Sequence, residues 1–200
     1  ILKKEEELRN SSMEERKENF KQIHDMLGGK VKLFISGAAS LDPAIEERYR
    51  LLGINIVQGY GLTETSPVVA IGTNKEHKIG SIGKTVPSVK AKLVDINKEG
   101  VGELVVKGPS IALGYYNNEK ATKESFKGDW FYTGDLAKID KEGYIFICGR
   151  KKSVIVLKNG KNIFPEEMEN LVNKIEGVTE SFIFGKQQSD DKNDIKINVK

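Results

Sequence analysis

Cysteine is almost missing from these 200 residues: Cys148 stands alone, which excludes an internal disulfide and fits a reducing compartment. It falls in the apolar run 144–148, where a buried, inert thiol is expected rather than a nucleophile. No apolar run approaches the roughly 18 residues that a membrane-spanning helix needs. The lysine- and glutamate-rich opening is no signal peptide, so a cytoplasmic location is the default expectation, with peripheral membrane contact left open. A dominant charge sign is lacking too. The 32 basic and 29 acidic side chains leave a formal charge of +3 and are interspersed rather than blocked, which argues against nucleic acid as a partner. There is no internal repeat and no low-complexity tract, and 38% apolar with 30% charged residues is an ordinary composition for one or two folded domains. An initiating methionine is also lacking, and residues 195–200 alternate like the opening of a strand. The chain is therefore expected to be a piece of a longer protein.

What is present is a chain of regular signals. Ser11 and Ser12 each have a glutamate three residues on, in capping-box style, and Phe20, Ile23 and Leu27 share a face, so a helix is expected over 13–27, ended by Gly28 and Gly29. A short strand over 31–35 leads into the small-residue loop Ser36-Gly37-Ala38-Ala39-Ser40. Asp42 and Pro43 then supply a cap and a first-turn proline for a helix carrying Ile45, Tyr49 and Leu52. Gly53 closes that helix before a strand over 54–57. Strand, helix, strand predicts a parallel pair. In such sheets ligands bind beyond the carboxyl ends of the strands, which puts the loops 37–40 and 59–65 side by side as two walls of one slot.

From about residue 80 the pattern becomes glycine-punctuated alternation. Val89, Ala91 and Leu93 predict one strand, and residues 103–106 answer it across the turn Asn97-Lys98-Glu99-Gly100. A short helix over 119–126 precedes a second hairpin, 136–139 against 144–148. Asp135 and Arg150 bracket that hairpin and are expected at opposite tips unless the sheet bends strongly. Past Arg150 come a strand over 154–157, a helix opened by Pro165 with an apolar stripe of Met168, Leu171, Val172 and Ile175, and a strand over 178–184. The fold class is thus α/β plus β: part of a parallel α/β sheet (1–79), an antiparallel β-barrel-like unit (80–150) and the start of a small α+β domain (151–200).

The chain centres on Gln58-Gly59-Tyr60-Gly61-Leu62-Thr63-Glu64-Thr65. Glycines around a tyrosine let the backbone approach a flat ligand on which the ring can stack. Thr63 offers a hydroxyl to a phosphate, and Glu64 is the candidate ligand for a hard cation such as magnesium. The competing reading is a tight turn with a packed tyrosine. His24 and His77 have no ligand spacing and receive no role.

Taken in order, Ser36-Gly37-Ala38-Ala39, Gly59-Tyr60-Gly61-Leu62-Thr63-Glu64-Thr65-Ser66-Pro67, Gly102-Glu103-Leu104, Gly108-Pro109, Gly114-Tyr115, Tyr132-Thr133-Gly134-Asp135-Leu136 and Gly149-Arg150-Lys151-Lys152 resemble the adenylate-forming (AMP-binding) superfamily. The resemblance spans nearly the whole chain. The wording of residues 58–70 and 159–167 looks most like bacterial long-chain fatty acyl-CoA synthetases. It implies ATP-dependent conversion of a fatty acid to an acyl-adenylate and transfer to coenzyme A, with ATP/AMP and magnesium as cofactors. It further implies Gly37, Ala38, Gly59, Tyr60 and Gly61 about the adenine, Thr63 on the α-phosphate and Glu64 on magnesium. Asp135 and Arg150 fall to the ribose, Lys152 to a hinge between two catalytic poses, and Gly160 to the coenzyme A route. The phosphate loop and the catalytic lysine of that family are expected before residue 1 and after residue 200. Two alternatives stay open: adenylation of an amino or aryl acid, and a nucleotide-binding module without catalysis.

Overall fold

A computed structural model describes residues 7–159, 161–188 and 195–200. Helix α1 (Met13–Asn19) opens on Ser12, whose Oγ accepts from the Glu15 N–H while the Glu15 carboxylate accepts from the Ser12 N–H. Ser11 takes no part in a box; its hydroxyl donates to the Leu8 carbonyl. The single helix expected over 13–27 is broken at Phe20, whose φ of −115° is not helical, and α2 (Lys21–Met26) continues beyond it. Leu27 is exposed, and buried His24 sits with Nε2 at 2.9 Å from the Leu52 carbonyl, a structural contact.

Strand β1 (Phe34–Ser36), helix α3 (Pro43–Leu51) and strand β2 (Ile56–Gly61) form the expected unit, with β1 and β2 parallel in the register Phe34 to Ile56 through Ser36 to Gln58. Asp42 caps α3 by accepting from the Ala44 N–H at 2.8 Å. The face α3 buries is not the expected one. Ile45 and Tyr49 are exposed, whereas Glu46 is fully buried and Leu51 nearly so. The reason is polar: Glu46 Oε2 accepts from the Gly80 N–H at 2.9 Å, and Oε1 lies 3.0 Å from His77 Nε2. An inward carboxylate with these partners turns the apolar side of the helix outward.

The sheet is parallel only at that pair. Strands β3 (Val68–Ile71) and β4 (Lys84–Thr85) extend it antiparallel, in the order β1-β2-β3-β4. Strand β2 runs through Gly61, so Gly59, Tyr60 and Gly61 belong to a strand rather than to the loop expected after residue 57. The glycines let strand segments meet. A Cβ on Gly61 would stand 1.7 Å from the Pro67 carbonyl oxygen, where β2 and β3 shift register.

The second sheet holds β5 (Lys90–Val94), β6 (Gly102–Lys107), β8 (Trp130–Ile139) and β7 (Phe126–Lys127) in that order, with β9 (Ile145–Arg150) also paired to β8. Helix α4 (Glu119–Ser125) leads directly into β7. Alternate residues of β8 are buried, as the period of two requires. Ile82 donates to the Ile145 carbonyl and Ile145 to the Gly83 carbonyl, at 2.9 and 3.0 Å, and these bonds stitch the two sheets together. One core joins Val69, Ala70 and Ile82 to Leu104, Val106, Phe131, Ala137 and Ile145. Asp135 pairs directly with Arg150, which corrects the opposite-tip expectation. A hairpin returns its second arm beside the start of its first, and a register shift between Leu136 and Ala137 takes up the odd residue.

Beyond a 3-10 turn (Lys151–Ser153) come the hairpin β10 (Ile155–Val156) and β11 (Asn162–Ile163), helix α5 (Pro165–Val172), and β12 (Ile183–Gln187) paired with β13 (Ile195–Val199). The expected stripe on α5 is half exposed: Leu171 and Ile175 face outward, and Ile175 lies beyond the helix. Replacing Gly61 by alanine should force β2 from the bend after it and cost about 1–3 kcal/mol of stability. A urea-unfolding midpoint unchanged from wild type would refute this reading of the close approach.

Candidate functional site

The carboxyl end of β2, the loop after β1 and the paired ends of β8 and β9 meet around a cleft of about 910 Å³. One wall is Ala38 to Pro43, the next Gln58 to Leu62, and Asp135, Ile147, Cys148, Gly149 and Arg150 close the third side. The two segments expected to face each other across one slot do so, the second of them as the end of β2 rather than as a loop. A Cβ on Gly37 would stand 3.5 Å from the Gly59 carbonyl oxygen, and Gln58 reaches across to accept from the Leu41 N–H at 3.0 Å. Ala38 holds φ of +68°, a left-handed turn that brings its backbone to the cleft edge.

Asp135 is the hub. Its side chain is 6% exposed, Arg150 Nη1 donates to Oδ1 at 2.6 Å, and the Tyr60 hydroxyl donates to Oδ2. Thr133 Oγ1 accepts from the Asp135 N–H at 3.0 Å and donates to the Leu104 carbonyl at 2.8 Å, anchoring the turn in the sheet below. Arg150 Nη1 also reaches the Thr133 carbonyl at 3.2 Å. Burial, and then the Asp135 charge, raise the Tyr60 phenol well above its ordinary range, so it stays a donor. The hydrogen bond to Asp135 raises the Arg150 guanidinium further still. Glu166, at the start of α5, lines the same cleft, and its carboxyl is raised by burial first and by Asp135 second.

Tyr60, Asp135, Arg150, Ala38, Gly59 and Gly61 are thus brought to one cleft, while Gly37, next to Ala38, does not line it. Thr63 and Glu64 lie in a 3-10 turn (Thr63–Thr65) just past the cleft's edge; Thr63 is exposed and Glu64 half-buried. Thr65, buried below them, accepts the Leu62 N–H at 2.9 Å and holds the turn. Glu64 Oε1 accepts from the Tyr115 hydroxyl at 2.7 Å, and the Glu64 carbonyl accepts from the Ala112 N–H at 2.8 Å. Lys152 is exposed in the 3-10 turn after β9, away from the cleft. Gly160 lies outside the described residues. Cys148 is half-buried, and burial raises its thiol, in keeping with an inert role.

A nucleoside fits this arrangement. Each Asp135 oxygen has one protein partner and keeps capacity for another, and the flat wall is built of small residues beside the Tyr60 ring. A magnesium ion fits only with most of its shell supplied by phosphate and water. Among the described residues no three His, Cys, Asp or Glu side chains converge, and Glu64 stands alone with one oxygen engaged. Thr133, Gln58, Tyr115 and Glu166 were not assigned to the site from sequence. The only available signal was position: Thr133 and Tyr115 sit inside the quoted motifs, while Glu166 reads simply as an acid at a helix start.

The raised Tyr60 phenol gives a signed test. The folded protein keeps a proton that the unfolded chain releases near the ordinary value of 10.0, so Tyr60's contribution is complete below that pH and declines above it. The slope is about 1.4 kcal/mol per pH unit per proton. The stability advantage of wild type over Tyr60→Phe should therefore shrink as denaturation is repeated from pH 10 to 12. A difference that stays constant across this range would overturn the assignment.

Residues 6–116 match the family described as AMP-binding enzyme. The chain is 38% identical over 166 residues to the long-chain-fatty-acid–CoA ligase FadD15 of Mycobacterium bovis, covering 83% of this chain and 27% of that protein. It is 37% identical over 188 residues to the long-chain-fatty-acid–CoA ligase of Escherichia coli O6:H1, covering 90% of this chain and 33% of the relative. The chain thus spans a third or less of the length of these relatives. Among solved structures, the o-succinylbenzoate CoA synthetase of Bacillus subtilis in complex with its acyl-adenylate superposes with a TM-score of 0.78 at 28% identity, over 84% of this chain and 36% of that one. The same enzyme in complex with ATP and magnesium gives 0.76 at 28% identity and the same coverage. With the motifs, the fold and the cleft in agreement, the chain belongs to the AMP-binding enzyme family, with long-chain-fatty-acid–CoA ligases among its relatives.

Proposed function

We propose that the protein carrying this chain activates a long-chain fatty acid with ATP and passes the acyl group to coenzyme A, working in the cytoplasm. The observation that carries this reading is the convergence of Tyr60, Asp135 and Arg150 on one cleft beside the small-residue loop 38–42. The fatty acid as substrate rests on the similarity to the ligases of Mycobacterium bovis and Escherichia coli. In this reading the fatty-acid carboxylate attacks the α-phosphorus of ATP, forming a P–O bond as the bond to pyrophosphate breaks. The thiolate of coenzyme A then attacks the acyl carbon and AMP leaves.

Each residue takes a share. Gly37, Ala38, Gly59 and Gly61 flank the adenine, and the Tyr60 ring stacks on it, an interaction worth about 1–3 kcal/mol per base in other proteins. Asp135 accepts from the ribose hydroxyls while Arg150 fixes its orientation and donates to the same sugar. Thr63 donates to the α-phosphate, and Glu64 holds magnesium, which neutralises charge on the phosphates. Lys152 is the hinge about which residues 151–200 swing after adenylation, and Gly160 borders the path of the coenzyme A thiol. We assign residues 1–79, 80–150 and 151–200 to the end of a large α/β region, an antiparallel unit and the beginning of a small domain.

In the full-length protein, exchange of labelled pyrophosphate into ATP should depend on added fatty acid. Exchange driven by amino acids and not by fatty acids would refute the substrate class. The hinge is tested separately. Lys152→Pro fixes φ and should preserve one half-reaction while depressing the other, measured as adenylate formation and thioester formation. Equal loss of both would mean that the proline merely damages the fold.

A further inference from the structure

Glu64 is held at two points by a single crossing segment. The Ala112 N–H donates to its backbone carbonyl at 2.8 Å, and the Tyr115 hydroxyl donates to its Oε1 at 2.7 Å. Tyr115 is itself fixed from behind. Its N–H donates to Thr122 Oγ1 at 2.9 Å, and its ring packs edge-on against Phe126 at 5.6 Å between centroids and 71° between planes. Phe126 in turn packs against Phe131 of the core at 4.8 Å. Gly114 allows this approach, because a Cβ there would stand 2.6 Å from the Thr122 methyl carbon. The phenol therefore has little freedom, and its proton goes to one chosen carboxylate oxygen. No described residue donates to Glu64 Oε2.

We infer that Tyr115 is a positioning residue: it holds Glu64 Oε1 so that Oε2 faces outward as the oxygen that takes a phosphate-bound magnesium ion or its water. A lone carboxylate in a half-buried turn can rotate, and a cation drawing on one protein oxygen is sensitive to where that oxygen points. A phenol donor removes that rotation without bringing a second charge.

This inference rests on the proposed nucleotide reading, and the test separates the two. The full-length protein is titrated calorimetrically with ATP over a magnesium series and with AMP free of metal, as wild type, Tyr115→Phe and Glu64→Gln. Tyr115→Phe should raise the magnesium concentration that half-saturates ATP affinity by about tenfold or more, the scale of one lost hydrogen bond to a charged group. Its AMP affinity should stay within about twofold of wild type, because Tyr115 does not line the nucleoside cleft. A magnesium response unchanged in Tyr115→Phe but shifted in Glu64→Gln overturns the inference and leaves the reading of Glu64 intact. No shift in Glu64→Gln overturns both. Equal losses for AMP and ATP in Tyr115→Phe would mean that the ring only packs, and would overturn the positioning role.

Discussion

The structure turns on one nearly buried carboxylate. Asp135 belongs to the antiparallel sheet, Tyr60 to the mixed sheet, and the hydrogen bond between them crosses the seam beside the cleft. A carboxylate so little exposed is tolerable only when charge and hydrogen bonding compensate its lost water, and Arg150 on Oδ1 and Tyr60 on Oδ2 do so together. The same two partners, with the Thr133 hydroxyl that seats the Asp135 backbone, fix the direction in which its remaining capacity points. Stability and preorganisation are therefore one arrangement here: the groups that make the charge bearable also aim it.

A second buried carboxylate does comparable work without touching the cleft. Glu46 secures the Gly80 N–H, and Gly80 and Ile82 form part of the cleft lining. Residues 82 and 83 then bond to β9, which ends at Arg150. The chain of contact from helix α3 to the arginine is thus polar, backbone and short. A helix whose periodicity looked amphipathic turns its isoleucine and tyrosine outward because its inner face carries Glu46, held by one hydrogen bond to Gly80 and lying 3.0 Å from His77.

Local chemistry was legible in the sequence where a residue acts on its own neighbourhood. Ser12 with Glu15, Asp42 with Pro43, and the turn at Asn97 are read from side chains that bond within four residues, and all three occur. The fold class and the meeting of the two small-residue loops were legible from strand order. What was not legible depended on distant partners. Nothing local to Glu46 announces its contacts with His77 and Gly80, and Tyr115 sits in a quoted motif without any sign that its hydroxyl meets Glu64. The opposite-tip reading of Asp135 and Arg150 failed on hairpin geometry, and the break at Phe20 had no glycine or proline to announce it.

The contacts that bring residues 151–200 against the rest are of a different kind. Lys174 reaches Asp42 at 2.8 Å and Lys151 reaches Glu103 at 2.7 Å, with both lysine side chains more than half exposed. The first bond lowers the Asp42 carboxyl below its ordinary value, yet a pair of this exposure contributes about 0–1 kcal/mol and is weakened by salt. Asp42 also keeps its capping bond to Ala44 through its other oxygen, so releasing Lys174 leaves helix α3 intact. The core proper, by contrast, runs from β3 to β9 without interruption. Besides these ion pairs and the exposed 3-10 turn, the segment touches the core where Phe164 and Glu166 lie beside Gly149, a small contact that can part without unfolding its neighbours. The proposed swing about Lys152 requires that property, and the Asp135 hub, rooted in the core, is built not to share it.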